Sequence, residues 1–240
     1  MPSLVFAGFT LLMAAVIVFG VWRSGADAVR WTVGTAIGLA VWLAFTFLLA
    51  QSGALSNFDS KPPGVLRLIF PTVVGTILLA RSGFGLRVTQ LPIWMLVGVQ
   101  AFRIPVELLL FWFYRDGLIP KQMTFEGLNF DILSGLLALA VAWRIRRAPS
   151  LGLVRAWNVV GLLLLVNIVV IANLSAPTSY RVFQEGPSSS LITVAPFVWL
   201  PTLLVPLALF GHLVVFRWLA TQRDLGRGVP VEAGRAPARG

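Results

Sequence analysis

Glu107 and Arg103 are the residues whose placement most invites chemistry. Both lie in a hydrophobic segment, residues 91–114, within the run Gln100-Ala-Phe-Arg103-Ile-Pro105-Val-Glu107-Leu-Leu-Leu. Four residues apart, they share one face of a helix. Ionisable side chains at membrane depth are costly, and they mark binding or relay sites more often than they decorate a span. In such a site Arg103 would hold an anionic group, and Glu107 a proton or a cationic group. Pro105 between them removes a backbone donor and predicts a bend with freed carbonyls, as in a helix that lines a cavity. The alternative is an ion pair that satisfies itself and locks helix packing.

Further polar residues fall at a comparable outer depth. The stretch Met123-Thr124-Phe125-Glu126-Gly127-Leu128-Asn129-Phe130-Asp131 alternates polar groups with Phe125, Leu128 and Phe130, a pattern suited to the membrane interface. Asn129 or Asp131 is also placed to cap the following helix. Downstream, Asn158, Asn167 and Asn173 share one apolar segment, followed by Tyr180 and Arg181. Asparagines at the first two positions suit hydrogen bonds between helices. The candidate ligand-binding set is therefore Arg103, Glu107, Glu126, Asn129, Asp131, Asn173 and Arg181. An intramembrane enzyme acting on a lipid headgroup is the second reading, with Glu126 or Asp131 as base and Arg103 stabilising an oxyanion. A scaffold of a membrane complex, with the polar groups as helix glue, is the third. His212 falls near the inner end of the last apolar segment and reads as an interfacial side chain, at the wrong depth to meet Glu107.

Several chemistries lack their residues. The chain has no cysteine and one histidine, so neither a cysteine nor a histidine-rich metal site is expected, and no cofactor is called for. The two lysines, Lys61 and Lys121, lie in loops, so no lysine inside a helix can form a Schiff base. Neither a P-loop nor a Gly-x-Ser-x-Gly elbow is present.

The elements that must position these groups are membrane helices. Of 240 residues, 58% are hydrophobic and 12% charged, against about 25% charged in soluble domains. The apolar residues form blocks near the spanning length of about 20 residues, without the short alternating strands of a barrel. The fold class is an all-α polytopic transmembrane bundle in one domain, residues 1–217. Seven spans are predicted: 3–22, 31–51, 65–80, 91–114, 128–145, 154–176 and 191–216. The third carries Arg67 and Pro71, and if it is re-entrant the count is six. The fifth is short. Pro196, Pro201 and Pro206 predict a bent entry to the seventh, with free carbonyls near Trp199 and Thr202. The first span lacks the basic leader of a signal peptide and is expected to be retained.

The net charge of +10 follows the positive-inside rule and shows no nucleic-acid stripe. Seven helices with the N-terminus outside place thirteen of the 19 basic residues inside and five outside, and the six-helix alternative splits identically. Both put residues 115–131 and 177–190 outside. Residues 218–240 then form a basic cytoplasmic tail, expected to be disordered near anionic lipid.

The segments Phe102-Arg103-Ile-Pro105-Val-Glu107-Leu, Met123-Thr-Phe-Glu126-Gly-x-Asn129-Phe-Asp131, Trp157-Asn158-x-x-Gly161-Leu-Leu-Leu and Phe197-Val-Trp199-Leu-Pro201-Thr202 resemble a group of uncharacterised bacterial integral membrane proteins. The resemblance covers mainly residues 100–217. It implies a bacterial inner-membrane location and carries no established activity. The expected function is binding or transport of a small polar or amphiphilic ligand through an outward-facing pocket.

Overall fold

The computed structural model describes residues 1–25 and 27–226. Its elements are α1 (Pro2–Trp22), α2 (Ala28–Gln51), α3 (Gly64–Arg81), the short α4 (Gly83–Val88), α5 (Ile93–Gly98), α6 (Arg103–Arg115), α7 (Asp131–Arg147), α8 (Leu151–Leu174) and α9 (Val205–Gly226). No strand occurs among the described residues. Six stretches are long and apolar enough to cross a membrane: α1, α2, α3, Ile93–Arg115, α8 and Leu200–Gln222. This is the all-helical, multi-pass architecture that the apolar blocks demand.

α3 is one unbroken helix despite Pro71. α7 has 17 residues and falls short of the six, in keeping with the shortness of its apolar block. It packs against α5, α6 and α8. Two prolines leave their signature. Val99–Phe102 is a turn of 3-10 helix that joins α5 to α6 in one continuous stretch. Its last turn precedes Pro105, which has no N–H to offer the Ala101 carbonyl four residues back. The same arithmetic acts at Pro206, which leaves the Thr202 carbonyl without its helical donor. Leu200–Leu204 widens into a π turn there. The indole Nε1 of Trp42 takes that carbonyl at 2.9 Å, while Trp199 Nε1 donates to Leu43 O at 3.1 Å. These two bonds tie α2 to the mouth of α9.

The last span begins nine residues later than 191, because a short 3-10 helix, Ser189–Thr193, and a turn over 194–198 precede it. At its other end the helix runs on to Gly226, past Arg217, so the first part of the expected tail is helical. Residues 227–240 of that tail lie outside the described residues.

The buried apolar side chains form two clusters. One gathers α1, α6, α8 and the Phe197–Leu204 region around Phe6, Phe113 and Phe197, whose rings meet at centroid distances of 5.1–6.0 Å. The other gathers α5, α7, α8 and α9 around Val97, Ala138 and Val214. Between them lies a polar layer.

Candidate functional site: a buried arginine network beside an acid-lined cavity

Arg103 is only 2% exposed and stands at the first residue of α6. Its guanidinium is engaged by three other helices. Nε donates to Asp131 Oδ2 at 2.6 Å, and Nη2 pairs with Asp131 Oδ1, which makes the contact bidentate. Nη1 reaches Ser134 Oγ on α7 at 2.6 Å, the Gly161 carbonyl on α8 at 3.1 Å and His212 Nε2 on α9 at 3.0 Å.

The histidine tautomer follows from its neighbours. A guanidinium can only donate, so Nε2 of His212 must accept. The proton then sits on Nδ1, which faces Asn158 Oδ1 at 2.9 Å. Asn158 Nδ2 closes the loop by donating to the His212 carbonyl at 3.1 Å. The ring packs against Trp157, with centroids 5.3 Å apart. One turn before Arg103 on the same stretch, Gln100 donates from Nε2 to Ala208 O at 3.1 Å. Four helices are thus joined by one connected set of hydrogen bonds.

Two glycines make the closeness attainable. A Cβ on Gly161 would lie 2.6 Å from His212 Cε1 and 2.7 Å from Ser134 Oγ. A Cβ on Gly211 would overlap the Gln100 amide. Only glycine lets α8 and α9 approach the layer so nearly.

Glu107, 1% exposed, belongs to a second arrangement. Its Oε2 accepts from Asn129 Nδ2 at 2.7 Å. The same Asn129 nitrogen reaches Met123 O at 3.1 Å, and its Oδ1 accepts from the Asp131 N–H at 3.1 Å. Asn129 therefore does two things at once. It receives the first N–H of α7 in the manner of a cap, and it holds the carboxylate of α6. Arg103 and Glu107 do not pair with each other. An Arg placed N-terminal to its acid is the weaker order on a helix, and Asp131 meets the guanidinium from α7 with better geometry.

Glu107, Arg103 and Asp131 border a cavity of about 130 Å³ between α3, α6, α8 and the entry to α9. Its remaining wall is largely apolar, with Phe102, Leu165, Ile168 and Leu204, and Asn173 and Tyr180 also line it. No donor among the described residues reaches the second oxygen of Glu107.

The other two candidates stand elsewhere. Glu126 is exposed on the 121–130 loop. Arg181 braces its own loop, donating to Phe183 O, Gly186 O and Pro187 O at 2.7–3.1 Å. Asn173 donates to Val169 O within α8 at 2.7 Å and is exposed. Among the described residues no three His, Asp or Glu side chains gather as a metal-binding group.

The reading of His212 as interfacial is overturned. It is fully buried and meets Arg103. The error came from the span's start. With the helix beginning at Leu200, His212 lies twelve residues in, about 18 Å along the axis and halfway through the span. Arg103 stands at the middle of its own stretch, Ile93–Arg115, so the depths coincide. Ser134 and Gln100 carried no sequence signal beyond being polar inside apolar segments.

No curated protein and no solved structure matches the chain. Residues 66–220, well over half of it, match DUF8737, a domain of unknown function. The match takes in every residue of the arginine network and the Glu107 arrangement, and leaves out α1 and α2. The chain belongs to the DUF8737 family.

Proposed function

We propose that this multi-pass protein binds, and carries across a bacterial inner membrane, a small amphiphilic ligand seated in the cavity beside Glu107. The observation that supports this is a buried carboxylate, held through one oxygen by Asn129, on a residue that lines an apolar-walled cavity. A ligand with an apolar body and a cationic or hydrogen-bond-donating head matches both features. Arg103 has a different part in this reading. Asp131 takes the Nε–Nη2 edge of its guanidinium and Ser134, Gly161 and His212 take Nη1, so Arg103 and Asp131 position α6, which carries Glu107, against α7. Asn173 contacts the ligand from the rim, while Glu126 and Arg181 stand outside the binding set. The basic loops and the C-terminus face the cytoplasm, and the mouth of the cavity faces outward.

The lack of native cysteine allows a direct test. A single cysteine at Glu107 should react with a membrane-impermeant thiol reagent added from outside. The control is a cysteine at exposed Glu126, because a side chain at Gly127 would collide with the backbone of Lys121 and Gln122. Reaction at position 126 but not at 107, in folded protein, would refute an open site. The closed bonding of Arg103 favours a second reading, a purely structural clamp of four helices, and that outcome would select it.

A further inference from the structure

A second and larger cavity, about 940 Å³, opens between the α1–α2 pair and the helices α3 and α9. Its lining shares none of the residues that line the cavity beside Glu107. We propose that it holds an acyl chain of an anionic phospholipid, inserted from the leaflet that faces the α1–α2 and α3–α4 connections.

Three observations fit that occupant. The first is the wall. It is almost entirely apolar, and Gly20, Gly34, Gly38 and Gly75, from three helices, line it with nothing within 4 Å of the position a Cβ would take. These glycines therefore face open space instead of allowing two helices to touch. The volume is at the upper end of ligand cavities, roughly 300–1,000 Å³, and an apolar void of that size inside a bilayer fills with hydrocarbon.

Length is the second. On α2 the cavity runs from Arg30 to Trp42, twelve residues apart. At about 1.5 Å per residue that is roughly 18 Å, close to half of a hydrocarbon core of about 30 Å. One leaflet's chain fits that span. The end is closed where Trp42 is bonded to the Thr202 carbonyl.

Charge is the third. Arg30 lines the cavity at the end of α2 away from Trp42. Beside it Arg87 lies 5.6 Å above the Trp31 ring and donates to Gly25 O at 3.0 Å, and its buried Nε–H has no acceptor among the described residues. The 23–30 and 81–87 segments together hold four arginines and one aspartate. Such an end attracts a phosphate, and each arginine near a headgroup is worth about 1 kcal/mol, or about fivefold in affinity.

The test reconstitutes the full chain into vesicles of equal phosphatidylglycerol and phosphatidylcholine with matched acyl chains. Gentle extraction and native mass spectrometry then count the lipids that remain bound. Wild type should retain phosphatidylglycerol in preference. Arg30→Gln should lower that preference about fivefold while total bound lipid changes less. Filling the cavity with Gly34→Leu and Gly38→Leu together should reduce retention of both lipids. Equal retention of the two by wild type would mean non-selective annular lipid and would overturn the proposal. So would an unchanged preference in Arg30→Gln, or undiminished retention by a folded double-leucine variant. Should the double-leucine protein fail to fold, the Arg30→Gln comparison decides alone.

Discussion

Arg103 and Glu107 are one helical turn apart and are held in opposite ways. Arg103 is paired with Asp131 through two nitrogens and also donates from Nη1. Removing Asp131 leaves that cation buried without its counter-charge. Asp131→Asn is therefore expected to destabilise the folded protein by about 3–5 kcal/mol, read as a lower unfolding midpoint in detergent. Glu107→Gln should cost within about 1 kcal/mol, since the amide oxygen still accepts from Asn129 Nδ2. Under the ligand reading, however, it removes the group that meets the ligand's head. If the two variants unfold alike, the division between a positioning pair and a binding carboxylate is wrong. At this scale the sequence was partly legible. That Arg103, Glu107, Asn129 and Asp131 belong near one another could be read from their types and depth. Which of them pair could not, because pairing depends on the angle at which α7 crosses α6.

Among elements, the polar layer depends on close approach of α7, α8 and α9. Gly161→Ala would press a methyl group into His212 and Ser134 and should cost about 1–3 kcal/mol of stability. Gly152→Ala, on the same helix with nothing within 4 Å, should be neutral or gain roughly 0.5–1 kcal/mol. Thermal unfolding of the two single variants makes the comparison, and equal effects would show that α8 is free to shift. The prolines belong to this scale too. Pro105 and Pro206 act through a missing N–H, a property of the residue itself, so a distorted entry near Trp199 and Thr202 could be read in advance. The partner that takes the Thr202 carbonyl, Trp42, is 160 residues away and could not.

For the whole molecule, α7 carries the topology. If this 17-residue helix crosses the membrane, the loops at its two ends lie on opposite sides. Single cysteines at exposed Glu126 and Glu185 should then react from outside, and one at exposed Ala148 only after the membrane is permeabilised. Reaction of the position-126 and position-148 cysteines from outside, with position 185 reacting only after permeabilisation, would make α7 re-entrant and reverse the helices after it. The family match begins at residue 66, so the polar layer lies wholly within it, while the large apolar cavity is walled on one side by the α1–α2 pair outside the match.

Sequence alone determined that this is a helical membrane protein, where its apolar blocks lie and, at Pro105 and Pro206, where the α-helical pattern is interrupted. Hydropathy and a missing N–H are local properties that add up along the chain. It also singled out Glu107 and Arg103, because a charge in an apolar block costs too much to be incidental. Only the tertiary structure decided that Arg103 is claimed by Asp131, Ser134, Gly161 and His212, up to 109 residues away. Those partners depend on the depth at which each helix starts. The turns before Leu200 place His212 at the middle of its apolar stretch, not near its end.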